Sequence, residues 1–205
     1  MTKHQRFANS DQFFACPHCG QALGLDLNSL RCPNRHTFDI AKQGYVNLAP
    51  QVKQSANYHK SSFENRQAFL EAGYYDHLYE ALEEKIAELG LRSVLDIGCG
   101  EGFYSRKLAE KMDLDILAFD ISKDSILLAA RTDRTKSVKW FVGDLTKLPI
   151  QQDHRRDLGH LLPSQLSGIC QSAESWWGYS QTSPRPQSPQ GAPPFSQRPT
   201  PQGVL

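Results

Sequence analysis

The stretch "SVLDIGCGEGFYSRKLAEKMDLDILAFDISKDSILLAARTDRTKSVKWFVGD", residues 93–144, decides the fold. "SVLDIG", "DILAFD" and "VKWFVGD" are short, apolar and rich in β-branched or aromatic residues, so they read as strands. "FYSRKLAEKM" and "SILLAARTDR" between them carry helical spacing. Strand and helix alternating at this interval predicts a parallel, doubly wound α/β sheet. Upstream, Leu78, Leu82, Ile86 and Leu89 recur at helical spacing, and Gly90 stops that helix.

Asp96, Gly98, Gly100 and Gly102 form D-x-G-x-G-x-G directly between a strand and a helix. Glycines there let the backbone approach a ligand and let the helix pack close to the strand. Such a loop alone is weak evidence. Asp120 ends the next strand, where an acid can hydrogen-bond a ribose diol. Asp144 ends the third strand, beside the expected adenine pocket. An acid ahead of the glycines suits a ligand with a sulfonium and an amino-acid tail rather than a pyrophosphate. Each acid alone could be a cap or a surface carboxylate; three at successive strand ends fit a binding site better.

Ahead of this domain lies "FFACPHCGQALGLDLNSLRCPNRHTFDIAKQGYVNLAP", residues 13–50. Cys16, Cys19, Cys32 and His36 have the spacing C-x2-C-x12-C-x3-H. Structural Zn2+ takes four N/S ligands in a tetrahedron, and C-x2-C presents two thiolates from one turn. Four protein ligands close the site, so the metal is structural rather than catalytic. Paired cysteines in a disulfide are the alternative, which a cytosolic setting opposes. The segment is too poor in core formers to fold without such a staple.

Charge is divided along the chain. Residues 1–60 hold seven Lys/Arg against three Asp/Glu; residues 61–150 hold twelve against sixteen. Arg31, Arg35, Lys42, Lys53 and Lys60 are interleaved with Phe38, Tyr45 and Tyr58. Cations on phosphates and rings on unpaired bases are what an RNA-facing module carries, although a solvated face over a small aromatic core has the same composition. No apolar run reaches membrane length and no signal peptide is evident, so the expected location is cytoplasmic.

From Gln151 the composition changes. Eight of the twelve prolines lie there, and lysine is absent. This reads as a disordered, low-complexity tail following an incomplete sheet. Trp176-Trp177-Gly178 must be encoded TGG-TGG-GGN, which shifted by one nucleotide forces Gly-Gly. Neighbouring codons then permit a strand, loop, helix and Pro-Gly-Gly turn from near Leu158. The expectation is therefore a frameshift or truncation after about residue 150.

The ordered set of C-x2-C-x12-C-x3-H, "FDIAKQGYVNL", "FENRQAFLEAGYYDHL" and "VLDIGCGEGFYS" resembles the bacterial 23S rRNA (guanine-N1)-methyltransferase family over roughly residues 13–150. The resemblance implies an N-terminal zinc-ribbon-like module for RNA recognition (1–50), a helical linker and first helix (51–90), and the N-terminal half of a Rossmann-like class I methyltransferase domain (91–150). An aberrant tail (151–205) follows. It implies Cys16, Cys19, Cys32 and His36 as Zn2+ ligands. Asp96, Gly98, Gly100, Gly102, Asp120 and Asp144, with Tyr74, would hold S-adenosylmethionine. It implies a 23S rRNA hairpin as partner and leaves room for a homodimer. The tail replaces the loop expected to build the guanine pocket, so methylation is expected to be impaired and no catalytic base can be named. A non-catalytic zinc-ribbon RNA-binding protein and a small-molecule methyltransferase with a structural zinc are the alternatives.

Overall fold

The computed structural model describes residues 2–52, 60–152 and 159–161. Lys53, Tyr58, the Trp176-Trp177-Gly178 stretch and nearly all of the expected tail lie outside them, as does the side chain of Lys60.

A 3₁₀ turn (Gln5–Phe7) and a short helix α1 (Ser10–Phe13) lead into three short strands: β1 (Gly24–Asp26), β2 (Ser29–Arg31) and β3 (Thr37–Asp39). These form an antiparallel sheet in the order β1-β2-β3. Then come β4 (Tyr45–Asn47), α2 (Lys60–Phe69), a wide turn at Leu70–Tyr74 broken by Gly73 at φ 89°, and α3 (Asp76–Glu88). The expected alternation follows as β5 (Ser93–Ile97), α4 (Phe103–Lys111), β6 (Asp115–Asp120), α5 (Lys123–Thr132) and β7 (Lys139–Val142). Last is β8 (Gly159–Leu161), so the segment read as a tail contributes one strand. Its partner β5 would otherwise present an unpaired sheet edge.

The second sheet is wholly parallel, in the order β4-β7-β6-β5-β8. Tyr45–Asn47, inside the segment assigned to the zinc module, is thus hydrogen-bonded into the second sheet, with Tyr45 opposite Trp140.

Side chains alternate along a strand, so each one feeds both faces of its sheet. On one face Val94, Ile116, Ala118 and Trp140 pack with Tyr79, Leu82 and Ile86 of α3, Leu108 of α4 and Ile126 and Ala129 of α5. The apolar stripe of α3 is therefore turned relative to the sequence expectation. Tyr79 is buried beside Leu82 and Ile86, whereas Leu89 is 47% exposed. The bulky ring supplies apolar area that Leu89, at the helix end, cannot place against the sheet.

On the opposite face Leu95, Ile97, Leu117, Phe119 and Phe141 share one core with Phe7, Phe13, Phe14, Leu23, Leu30, Phe38, Cys16 and Cys32. Parallel sheets need cover on both sides. Here the cysteine-bearing module is the second cover, in the place a helix layer would occupy.

Backbone bonds reinforce the union: Ala15 N to Pro149 O at 2.9 Å and Gln151 N to Phe13 O at 2.8 Å. One buried ion pair, and a hydrogen bond from Asn9 to a half-exposed one, do the same. The Arg6 guanidinium lies 3.3 Å from Asp133, with both side chains essentially inaccessible, and it also donates to Gly44 O at 3.1 Å. Lys139 Nζ donates to Asp115 Oδ1 at 2.6 Å, and Asn9 donates to the same oxygen at 3.0 Å.

For two of the aromatics in the basic segment, the packing decides between base stacking and a small core in favour of the core. Phe38 is 7% and Tyr45 5% exposed. Phe38 is the inward residue of β3 and Tyr45 lies under α5's layer, so both rings are core. Arg31, Arg35 and Lys42 are exposed as expected, Arg31 in a solvated pair with Asp26 at 3.1 Å.

Candidate metal centre and cofactor cradle

Cys16, Cys19, Cys32 and His36 come together, with their ligand atoms all within 4.8 Å of one another. Cys16 Sγ lies 3.5 Å and Cys32 Sγ 3.4 Å from His36 Nδ1, and Cys19 Sγ lies 3.7 Å from Cys32 Sγ. A tetrahedral Zn2+ with bonds of about 2.3 Å to sulfur and 2.0–2.1 Å to nitrogen sets its ligands roughly 3.5–3.8 Å apart. The donor set and its spacing therefore fit zinc.

Two turns build this arrangement. Gly20 N donates to Cys16 O at 2.8 Å and Cys16 N to Gln21 O at 2.7 Å; on the other side Cys32 N donates to His36 O at 3.1 Å. The backbone at Gln21 pulls the Cys19 thiol down to about 6, towards the thiolate a metal needs. Burial pushes the Cys16 thiol up. His18 is outside the ligand group. It is exposed and lies flat against Phe38, with ring centroids 5.7 Å apart.

The glycine loop leaves β5 with Gly98, Gly100 and Gly102 at φ 71°, 58° and 75°. Gly98 N and Cys99 N both donate to Phe119 O, at 2.9 and 3.0 Å, which holds the loop against the end of β6. Gly102 is fixed by space as well as by angle. A Cβ there would lie 2.3 Å from Trp140 Cη2 and 3.1 Å from Ala129 Cβ. Trp140 in turn donates from Nε1 to Asp133 at 3.0 Å.

The three acids sit where the sequence puts them, at the C-terminal ends of adjacent parallel strands. Asp96 is 5% exposed and accepts from Ser105 Oγ at 2.6 Å; burial pushes its carboxyl up to about 7. Asp120 accepts from Gly100 N at 3.0 Å through one oxygen and from Ser122 N at 2.8 Å through the other, tying the two loops together. Asp144 caps the 3₁₀ turn Leu145–Lys147. It accepts from Thr146 N and Oγ1 at 2.9 and 2.8 Å, both on Oδ1, and the first of these bonds holds its carboxyl low. Tyr74 lies on the wide turn between α2 and α3. It is 67% exposed and stacked on Phe69 with centroids 5.3 Å apart.

Sequence reasoning passed over three residues here, and reached a fourth, Arg66, only as part of the "FENRQAFLEAGYYDHL" match. Glu101, between two of the glycines, is 1% exposed, and Arg66 of α2 approaches it to 3.2 Å. Its position inside the loop was the available signal. Ile121 and Leu145, each directly after a strand-end acid region, keep 48% and 49% exposure. Large apolar side chains left in solvent beside two carboxylates are the kind of surface a nucleobase covers.

Comparison with known proteins agrees with both parts. Residues 14–56 match the domain family described as "RlmA, N-terminal", a zinc ribbon, and residues 94–165 match a methyltransferase domain family. A 23S rRNA (guanine(748)-N(1))-methyltransferase of Streptomyces fradiae is 38% identical over 128 residues, 60% of this chain and 46% of that protein. A putative 23S rRNA (guanine-N(1)-)-methyltransferase of Micromonospora griseorubida is 35% identical over 141 residues, 57% of this chain and 46% of that protein. The chain thus spans just under half the length of these curated relatives. The solved plantazolicin methyltransferase BpumL, in complex with a triazolic desmethylPZN analog and SAH, aligns at TM-score 0.33 and 20% identity over 43% of this chain and 34% of its own. Taken together, the matches liken residues 14–56 to an RlmA N-terminal zinc ribbon and residues 94–165 to a methyltransferase domain.

Proposed function

We propose that the chain serves S-adenosylmethionine-dependent N1-methylation of a guanine in a 23S rRNA hairpin, the zinc ribbon holding RNA beside the cofactor cradle. The observation that carries this is the convergence of Asp96, Asp120 and Asp144 at three adjacent strand ends around one glycine loop. Cys16, Cys19, Cys32 and His36 hold Zn2+. Asp120 would accept from the ribose hydroxyls and Asp144 would serve the adenine end, with Ile121 and Leu145 available to cover the base. Asp96, buried and bonded to Ser105, fixes the start of the loop on which Gly98, Gly100 and Gly102 admit the methionine end. When bound, S-adenosylmethionine supplies a methyl group on a sulfonium to which guanine N1 is the nucleophile. The protein's contribution is positioning and water exclusion.

The exposed Arg31, Arg35 and Lys42 give the zinc module its phosphate contacts. Among the described residues no group is assigned to take the N1 proton. One second reading, a non-catalytic RNA-binding chain, rests on the same exposed Arg31, Arg35 and Lys42. The test is methyl transfer from radiolabelled S-adenosylmethionine to a 23S rRNA fragment, with reverse-transcription stops locating N1-methylguanine. Label at one guanine of a hairpin is the expected result. A folded, zinc-loaded chain that leaves every guanine unlabelled would refute catalysis and leave the RNA-binding reading.

A further inference from the structure

Unpaired bases stack on aromatic rings, and an RNA contact of the kind proposed needs such rings somewhere on the surface. Phe38 and Tyr45 of the basic segment are in the core. Among the described residues the only exposed phenyl or phenol side chains are Phe69, at 52%, and Tyr74, at 67%. They stand together where α2 gives way to the wide turn. Their ring planes are 18° apart with centroids at 5.3 Å, and Tyr75 meets Phe69 edge-on at 5.7 Å. The helical period does not call for this pair. Phe63 and Leu70 mark the buried stripe of the segment, and Phe69 stands off it. Gly73, at φ 89°, makes the turn that brings Tyr74 onto Phe69.

The residues on either side fix where the two rings stand. Arg66, one helical turn before Phe69, lies 3.2 Å from Glu101 in the glycine loop, and its Nε is 3.9 Å from where a Cβ on Gly100 would be. Glu71, just after Phe69, accepts from Arg106 of α4 at 3.2 Å. Since α4 begins where the glycine loop ends, the rings are held at the rim of the cradle.

We propose that Phe69 and Tyr74 form a stacking shelf that holds an unpaired base of the RNA beside the cofactor cradle. The inference rests on the RNA reading above. A base that extends the Phe69–Tyr74 stack needs only a flat face, which every base has, so the shelf selects unpaired over paired RNA rather than one sequence. Size favours a base over a second copy of the chain. With about 150–250 Å² on each such side chain, the exposed parts amount to roughly 200–300 Å². A stable protein interface takes about 800 Å² from each partner. The neighbouring acids Glu71 and Asp76 are paired with Arg106 and Lys107, which offsets their repulsion of a phosphate.

The experiment titrates the zinc-loaded full chain into hairpin RNAs that carry 2-aminopurine, whose fluorescence falls on stacking, at single positions of an unpaired loop. The fully paired stem is the control. At least one loop position should be quenched by the parent chain. Phe69→Ala and Tyr74→Ala should each remove that quenching and weaken the hairpin about five- to hundredfold, with the paired stem held within about twofold. Tyr74→Phe keeps the ring and should behave as the parent. Both side chains are half or more exposed, so the variants should stay folded, as circular dichroism will show. A parent that binds the hairpin with both alanine variants unchanged would overturn the shelf alone. So would a Tyr74→Phe variant as weak as Tyr74→Ala, which would assign the contact to the hydroxyl. Weakened S-adenosylhomocysteine binding by Tyr74→Ala but not Phe69→Ala would give Tyr74 to the cofactor and overturn it too. A parent that sediments as a dimer, with Tyr74→Ala a monomer, would give the rings to a second copy instead. If the folded parent binds no hairpin at all, the RNA reading fails and the shelf with it.

Discussion

Gly102→Ala is the sharpest perturbation of the packing under the cofactor loop. Two costs add. The residue sits at φ 75°, where a Cβ costs about 1–2 kcal/mol. The new methyl would also stand 2.3 Å from Trp140 Cη2 and 2.7 Å from Cζ3, well inside contact distance. Trp140 cannot swing away without leaving Asp133 at 3.0 Å, and overpacking of this kind costs about 1–3 kcal/mol. The sum is about 2–5 kcal/mol, a large share of an ordinary domain's stability. In urea, with a slope of about 1–3 kcal/mol per molar, the midpoint should fall by roughly 1–2 M. Gly100→Ala is the internal control. It has φ 58° but nothing nearer its Cβ than Arg66 Nε at 3.9 Å, so only the backbone cost applies. Far-ultraviolet circular dichroism through the urea transition reads both. Equal midpoints for the two variants would refute the claim that Trp140 fills the space under Gly102.

Arg6→Ala removes the cation from a buried pair with Asp133. Breaking such a pair costs about 3–5 kcal/mol, and the low end applies because Asp133 Oδ1 keeps its bonds from Thr135 and Lys136. A urea midpoint within error of the parent would contradict the docking of the N-terminal turn. The buried Asp96 carboxyl, at about 7 in the folded chain against 3.8 as a free group, holds a proton that the unfolded chain releases. Its contribution to stability is therefore full below about pH 4 and is lost as pH rises to 7. Asp96→Asn should melt increasingly above the parent as pH climbs from 4 to 7. A melting difference independent of pH would show that Asp96 is not the buried acid described.

The alternation of strand and helix over residues 93–144 was readable because each element carries its own period, and every element expected there is present. The metal ligands were readable because four soft donors at fixed spacing have few other uses. What the sequence hid was long-range. Nothing local in "GYVNL" says that Tyr45–Asn47 joins β7 across nearly a hundred residues, and nothing in Phe13, Phe14 or Leu23 says that their partners are Leu117 and Phe141. Phe38 and Tyr45 looked available to bases because aromatic residues in a basic segment have the same letters whether they face RNA or a core. Leu89 fitted the helical period equally well as Tyr79, and only packing against the sheet chose between them. Glu101 was passed over because a carboxylate inside a glycine loop gives no sign of its burial.

The central claim is that the zinc module and the cofactor cradle are one folding unit, since Cys16 and Cys32 share a core with Leu95, Leu117 and Phe141. Structural zinc contributes folding energy outright, and its removal releases whatever it holds. The direct measurement is titration of S-adenosylhomocysteine into the zinc-loaded chain and into the same chain after chelation, each matched for concentration. One site per chain with zinc, and loss of that site without it, is the result expected. An unchanged dissociation constant after zinc is stripped would contradict the claim.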